Sequence, residues 1–172
     1  SKPLPGGGRL EQADGTAWMA FYASTMLAMA LELSQYDDTY EDIASKFFEH
    51  FIGIADAMNH LGGSGLWCED EGFYYDQLHV DGRHIPLRVR SMVGLLPLCA
   101  VTVFDGTFLR EKPELADRLR GFLRGRPELT AFIHDPMKPG HSDRRLASIL
   151  DETKLRRVLS RVLDENEFLS DF

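Results

Sequence analysis

Two stretches of the chain concentrate residue types that do chemistry. The first, RLEQADGTAWMAFY at residues 9–22, places the carboxylates Glu11 and Asp14 ahead of a glycine and then Trp18, at the head of an apolar run. A carboxylate at a helix start meets unpaired backbone N–H groups and the positive end of the helix dipole, which favour its ionised form. Asp is also among the preferred N-cap residues, so Asp14 reads as a cap, the commoner role, or as an acid held ready for use. Gly15 and Thr16 leave space beside it for a ligand. Trp18 offers a flat surface to a sugar ring, although a Trp in a buried helix is more often core.

The second stretch, WCEDEGFYYD at residues 67–76, interleaves Glu69, Asp70, Glu71 and Asp76 with Trp67, Phe73, Tyr74 and Tyr75. Sugar hydroxyls need acceptors and the C–H faces of the ring stack on aromatic faces, so the composition suits a carbohydrate. A solvated turn into a β-hairpin explains it equally well. The E-D-E-G spacing lacks the alternating oxygen ligands of a helix-loop-helix calcium site. Arg88 and Arg90 alternate with apolar residues and share a face, from which they reach a ligand or, more commonly, form salt bridges with the acidic group. His134 and His141 sit in H-D-P and H-S-D contexts without a Gly-x-Ser-x-Gly elbow, so no hydrolase triad is expected. His50 and His60 read as surface or core edge. The two cysteines, Cys68 and Cys99, show neither C-x-x-C nor paired-His spacing, so no metal, cofactor or disulfide is expected and a reducing, cytoplasmic setting is.

These groups need elements to position them. Gly15 to Tyr36 is apolar nearly all round, which predicts a helix buried on every side, with Asp14 in its N-cap position. Tyr40 to Leu61 is amphipathic, with Ala44, Phe47, Phe51, Ile54 and Met58 on one face and Glu41, Asp42, Lys46 and Glu49 on the other: an outer helix. The alternation recurs. Ser91 to Phe104 is again apolar all round, kinked at Pro97, and Pro113 to Arg124 is amphipathic. Residues 66–91 read as an inserted β-hairpin, with Phe73 to Val80 and Arg83 to Val89 joined at Asp81-Gly82. Residues 127–150 read as a loop-rich connector, and Lys154 to Leu163 as a last charged helix. The expected fold is mainly α: an incomplete (α/α)6 toroid of inner and outer helix pairs with one inserted hairpin.

The length of 172 residues suits one domain. With 27 Asp+Glu against 19 Lys+Arg, a nucleic-acid or anionic-membrane partner is not expected. No apolar run reaches the roughly 18 uninterrupted residues of a membrane span. The start at SKPLPGGGRL and the stop at ENEFLSDF suggest a piece of a longer protein.

At RLEQADGTAWMAFY, FFEHFIGIADAMN, GLWCEDEGFYYD and LRVRSMVGLLPL the chain resembles the catalytic region of glycoside hydrolase family 63 and its bacterial mannosylglycerate-hydrolase-type relatives. The likeness runs over most of the chain, in order. It implies a toroid of helix pairs and an enzyme that cleaves α-glycosidic bonds with inversion, using a carboxylic acid and a carboxylate base. Those groups stand roughly 6.5–9.5 Å apart to admit water. The resemblance puts the acid near the first inner helix, at Asp14 with Glu11 in reserve or ahead of Ser1, and the base beyond Phe172. Helix pairs take roughly 34–47 residues, so 172 residues cannot close six of them, and a partial catalytic domain without activity of its own is expected. Its partners would be a small carbohydrate substrate and the remainder of the catalytic domain. Trp18, Trp67, Tyr74 and Tyr75 would wall the subsites, Glu69, Asp70 and Asp76 would accept hydroxyls, and Arg88 would add a charged contact. The competing reading is a helical interaction or sugar-binding module without catalysis.

Overall fold

The computed structural model describes residues 4, 7–60, 65–131 and 133–170. Strand β1 (Arg9–Glu11) leads into helices α1 (Ala13–Leu33) and α2 (Thr39–Asn59). Short strands β2 (Trp67–Cys68) and β3 (Phe73–Tyr74) follow, then the hairpin β4 (Asp76–Val80) and β5 (Arg83–Leu87). A 3-10 helix (Met92–Cys99), β6 (Val101–Asp105), α3 (Phe108–Glu111), α4 (Pro113–Gly125), α5 (Pro127–Thr130), β7 (Arg144–Ser148) and α6 (Glu152–Val162) complete the order.

Helices α1 and α2 form the main layer. The face of α1 that meets α2 is lined by Ala13, Ala17, Ala20, Ala23 and Ala30, all buried, together with Leu27 and Leu31. Alanine loses no side-chain entropy in a helix and lets two backbones approach closely. From α2 come Ala44, Phe48, Phe51, Ile52, Ala55 and Met58, also buried. The amphipathic reading of α2 therefore holds; its predicted end at Leu61 lies outside the described residues.

The hairpin also forms where its turn chemistry predicts. Asp81 and Gly82 both take positive φ, 49° and 71°, which is what a two-residue turn matching the strand twist demands. What the sequence did not signal is a third strand: β1 pairs antiparallel with β4, opposing Leu10 to Leu78 and Glu11 to Gln77, to give the order β1-β4-β5.

The expected toroid is not the fold. The described residues are mixed, 53% helical and 17% strand, with three small antiparallel sheets in place of a second inner/outer helix pair. The decisive segment is Ser91 to Phe104. Its first half is a 3-10 helix carrying Gly94 and Pro97, and its second half, Val101–Asp105, is a strand paired with β7 in the supposed connector. An apolar run without periodicity fits a buried helix or a buried strand equally. Pro97 lacks an N–H, and the β-branched and aromatic residues Val101, Thr102, Val103 and Phe104 favour extension.

The prediction that α1 is buried on every side also fails. Trp18, Met19, Tyr22 and Met29 are each more than half exposed, although Tyr22 still meets Phe47 of α2 edge-on, ring centroids 6.0 Å apart. Packing against α2, the 3-10 helix and β6 covers one face of α1 and leaves the other open.

Among the described residues, no helix is long and apolar enough to cross a membrane.

Candidate functional site

Helix α1 begins at Ala13, two residues earlier than expected, and its cap comes from elsewhere. Gln12 occupies the N-cap position without a side-chain capping bond. The first free N–H, that of Ala13, donates instead to Asp76 Oδ1 at 2.7 Å, from strand β4. Asp14 is thus not the cap but a first-turn residue. Its Oδ1 accepts the N–H of Gly15 at 2.7 Å, and its side chain is half-buried at the open end of the helix. Trp18 follows one turn later on the same face, 53% exposed, in edge contact with Phe21.

Beside this turn lies a cleft of about 720 Å³ between β1, the start of α1 and the second half of α2. Glu11, Gly15, Thr16, Met19, Ile54 and Leu66 are among its lining residues. Thr16, Ile54 and Ala57 also line an adjoining cavity of about 430 Å³, where Glu49, His50 and Arg126 supply charged and titratable groups and Phe122 an aromatic wall. Either volume falls in the range of roughly 300–1,000 Å³ that small-molecule sites occupy.

Glu11 faces this cleft but is engaged. Arg9 donates to its Oε1, and His79 Nε2 of β4 stands 3.2 Å from its Oε2. The ring of His79 packs edge-on against His84 of β5, centroids 4.0 Å apart. Arg9 and His79 were not singled out as site residues, because their proximity to Glu11 follows from the β1–β4 pairing, which the sequence did not announce.

The acidic-aromatic stretch is largely internal. Tyr74 is fully buried, and its hydroxyl donates to Asn59 Oδ1 at 2.8 Å. Burial holds the Tyr74 phenol well above the ordinary range, so it stays neutral, and it walls no subsite. Trp67 and Tyr75 are buried as well and join Glu69 around a smaller cleft of about 250 Å³. The Trp67 indole N–H donates to Glu69 Oε2 at 2.7 Å, while Arg157 of α6 pairs with the same carboxylate and lies over the indole ring, 5.6 Å from its centroid. Asp70 is exposed in the turn between β2 and β3. Asp76, expected to accept sugar hydroxyls, is the helix cap described above.

Glu71 is the centre of an ion-pair cluster. Its carboxylate accepts from the Tyr75 hydroxyl at 2.5 Å, from Arg88 at 3.1 Å and from Arg90 at 3.0 Å. Arg90 in turn pairs with Glu167 beyond α6. The Tyr75 hydrogen bond, aided by the two guanidinium charges, holds the Glu71 carboxyl below the usual glutamate range. Burial, and then that same bond to Glu71, raises the Tyr75 phenol. For Arg88 and Arg90, the ion-pair alternative is therefore the one observed.

The two stretches that looked chemical in the sequence thus divide. Glu11 lines the open cleft, Asp14 and Trp18 are next in sequence to its lining residues Gly15 and Met19 without lining it themselves, and Glu69, Glu71, Tyr74 and Asp76 hold the fold together. The capping bond from Asp76 joins the two groups. Among the described residues, no three His, Cys, Asp or Glu side chains gather as metal ligands.

No protein-family model matches the chain, and no solved structure does. Over 186 aligned residues it is 41% identical to the uncharacterized protein YMR196W of Saccharomyces cerevisiae (strain ATCC 204508 / S288c). That alignment takes in 100% of this chain and 17% of the yeast protein, so the chain spans about a sixth of the length of the curated relative it matches.

Proposed function

We propose that the chain contributes one catalytic carboxyl group and an aromatic wall to an inverting glycoside hydrolase acting on an α-linked glucoside or related small glycoside. The observation that carries this reading is Asp14. It is held in the first turn of α1 by its own Gly15 N–H, half-open to solvent, with exposed Trp18 one turn along the same face and a sugar-sized cleft bordered by Gly15 and Thr16.

In this role the Asp14 carboxyl delivers a proton to the leaving glycosidic oxygen while Trp18 packs against the sugar ring. A second carboxylate, on the far side of the ring, activates water. The separation of roughly 6.5–9.5 Å that inversion requires is met with a group supplied from outside these residues. The 172-residue chain alone then turns over no glycoside. Glu11, ion-paired in the cleft wall, is the reserve acid.

The test is Asp14→Asn in the intact polypeptide that contains this chain, assayed on aryl α-glucosides beside Glu11→Gln. Loss of a general acid lowers kcat by about 10²–10⁴-fold at little-changed KM, and since Asp14 is not the cap, the unfolding midpoint stays in place. An unchanged kcat in both variants overturns the assignment. The other reading, a helical interaction or sugar-binding module without catalysis, is favoured by the acidic side chains already committed to internal ion pairs. Saturable glucoside binding without turnover by the intact polypeptide is its signature.

A further inference from the structure

The open side of α1 asks for a partner. Beyond the turn that carries Asp14 and Trp18, the outward stripe continues through Tyr22, Met29 and Leu33, which are 53%, 54% and 41% exposed, to the end of the helix. Steps of four and seven residues keep these side chains and Trp18 on one face. No charged residue occurs from residue 15 to residue 31. The contrast with α2 is direct: its exposed positions include Asp42, Lys46 and Glu49, as a wet face should.

An aromatic side chain left half open contributes on the order of 100 Å². Several in a row, with methionine and leucine between them, reach the few hundred Å² that monomeric proteins rarely leave uncovered in one patch. A ligand that only brushed the Asp14 end would not need a stripe extending about four turns along the helix.

We infer that this stripe is an interior seam, covered by an apolar helix from a segment of the polypeptide outside these 172 residues. The occupant follows from two observations. In the 41% identical yeast protein the aligned stretch is 17% of the length, so most of that polypeptide remains to supply the covering helix. A second copy of the chain is disfavoured by charge, because each copy carries a net −8 and the face between them holds no cation to offset the repulsion. An apolar helix laid along the stripe packs side chains between Tyr22, Met29 and Leu33, as helices do when ridges enter grooves. The seam deepens the proposed function, since it places Trp18 where the two segments meet, yet it stands on burial and not on catalysis.

Covalent carbene footprinting read by mass spectrometry tests it, comparing the 172-residue chain with the intact polypeptide of its own organism that contains it. Tyr22, Met29 and Leu33 should label freely in the short chain and at least tenfold more slowly in the intact one, while the wet face of α2 around Lys46 labels alike in both. Photo-methionine incorporated into the intact polypeptide at Met29 should crosslink to a peptide from outside this chain, a result that does not require the short chain to fold. Equal labelling in the two forms, a crosslink to a second copy, or recovery of the 172-residue chain itself as the mature protein overturns the inference. None of these readouts is turnover, so failure of the hydrolase reading leaves the result interpretable.

Discussion

Asp76 Oδ1 accepts the backbone N–H of Ala13 at 2.7 Å, capping a helix that starts 63 residues earlier in the chain. Losing a capping carboxylate costs typically about 1 kcal/mol. Asp76→Ala is therefore expected to lower the unfolding free energy read from a urea titration by that amount, with Asp76→Asn retaining most of the stability. Asp14→Ala, one residue past Ala13, should be close to neutral in the same titration. If the two alanine variants exchange effects, Asp14 is the cap after all.

Asn59 ties three segments together. Its amide donates to Ala55 O at 2.9 Å and to Ile149 O at 2.8 Å, and its Oδ1 accepts from Tyr74. All of this is buried. Removing one partner from a buried hydrogen bond leaves the other to bear its desolvation, about 1–3 kcal/mol. Asn59→Leu should lie at the upper end of that range and Tyr74→Phe at the lower. The double variant should fall short of their sum, as expected for residues in one network.

Gly94 permits the close approach of the 3-10 helix to β3. A Cβ built there meets the ring of Phe73 and the backbone carbonyl of Tyr74 well inside normal contact. The ring can tilt, but the carbonyl is fixed by its strand. Overpacking of this kind costs typically about 1–3 kcal/mol, so Gly94→Ala should lower the thermal midpoint by several degrees. Gly121→Ala, which meets nothing within 4 Å in the middle of α4, should raise it slightly. Equal effects at the two glycines would refute the packing argument.

Glu71 makes stability depend on acid. Its carboxyl is held below the ordinary value of 4.5 in the folded chain, so the native state binds the proton less readily than the unfolded one. The stabilisation is fully present above the unfolded value and is lost as pH falls through 4.5 toward the lowered native value. Urea midpoints of wild type and Glu71→Gln should differ at pH 7 and converge on approaching pH 3. A gap that widens on acidification would contradict the sign.

How far the sequence disclosed this fold depends on whether the information was local. The Asp81-Gly82 turn, the amphipathic face of α2 and Pro113 at the first turn of α4 are local signals, and each element forms where its residues direct. The strands β1, β6 and β7 have no such signature, because each acquires its conformation from a partner distant in sequence. Reading Val101 to Phe104 as helix converts most of one strand into a supposed inner helix, and the toroid follows from it. The same division governs the site. That Asp14 and Trp18 share a helix face is legible from their spacing. That Glu69 is held by Arg157 and Glu71 by Arg90 is not, since those partners lie 88 and 19 residues away.

The cleft between β1, α1 and α2 has one wall that exists only when residues 9–11 have paired with residues 77–79. An unfolded or half-folded chain therefore has no such cleft, and any ligand resting there binds the native state alone. By mass action such a ligand raises the unfolding free energy by RT ln(1 + [L]/Kd), about 2.7 kcal/mol at a hundredfold excess over Kd. A thermal-shift screen of small glycosides thus reports binding to the folded chain without waiting for a bond to be cleaved, and a shift lost in Gly15→Trp assigns that binding to this cleft.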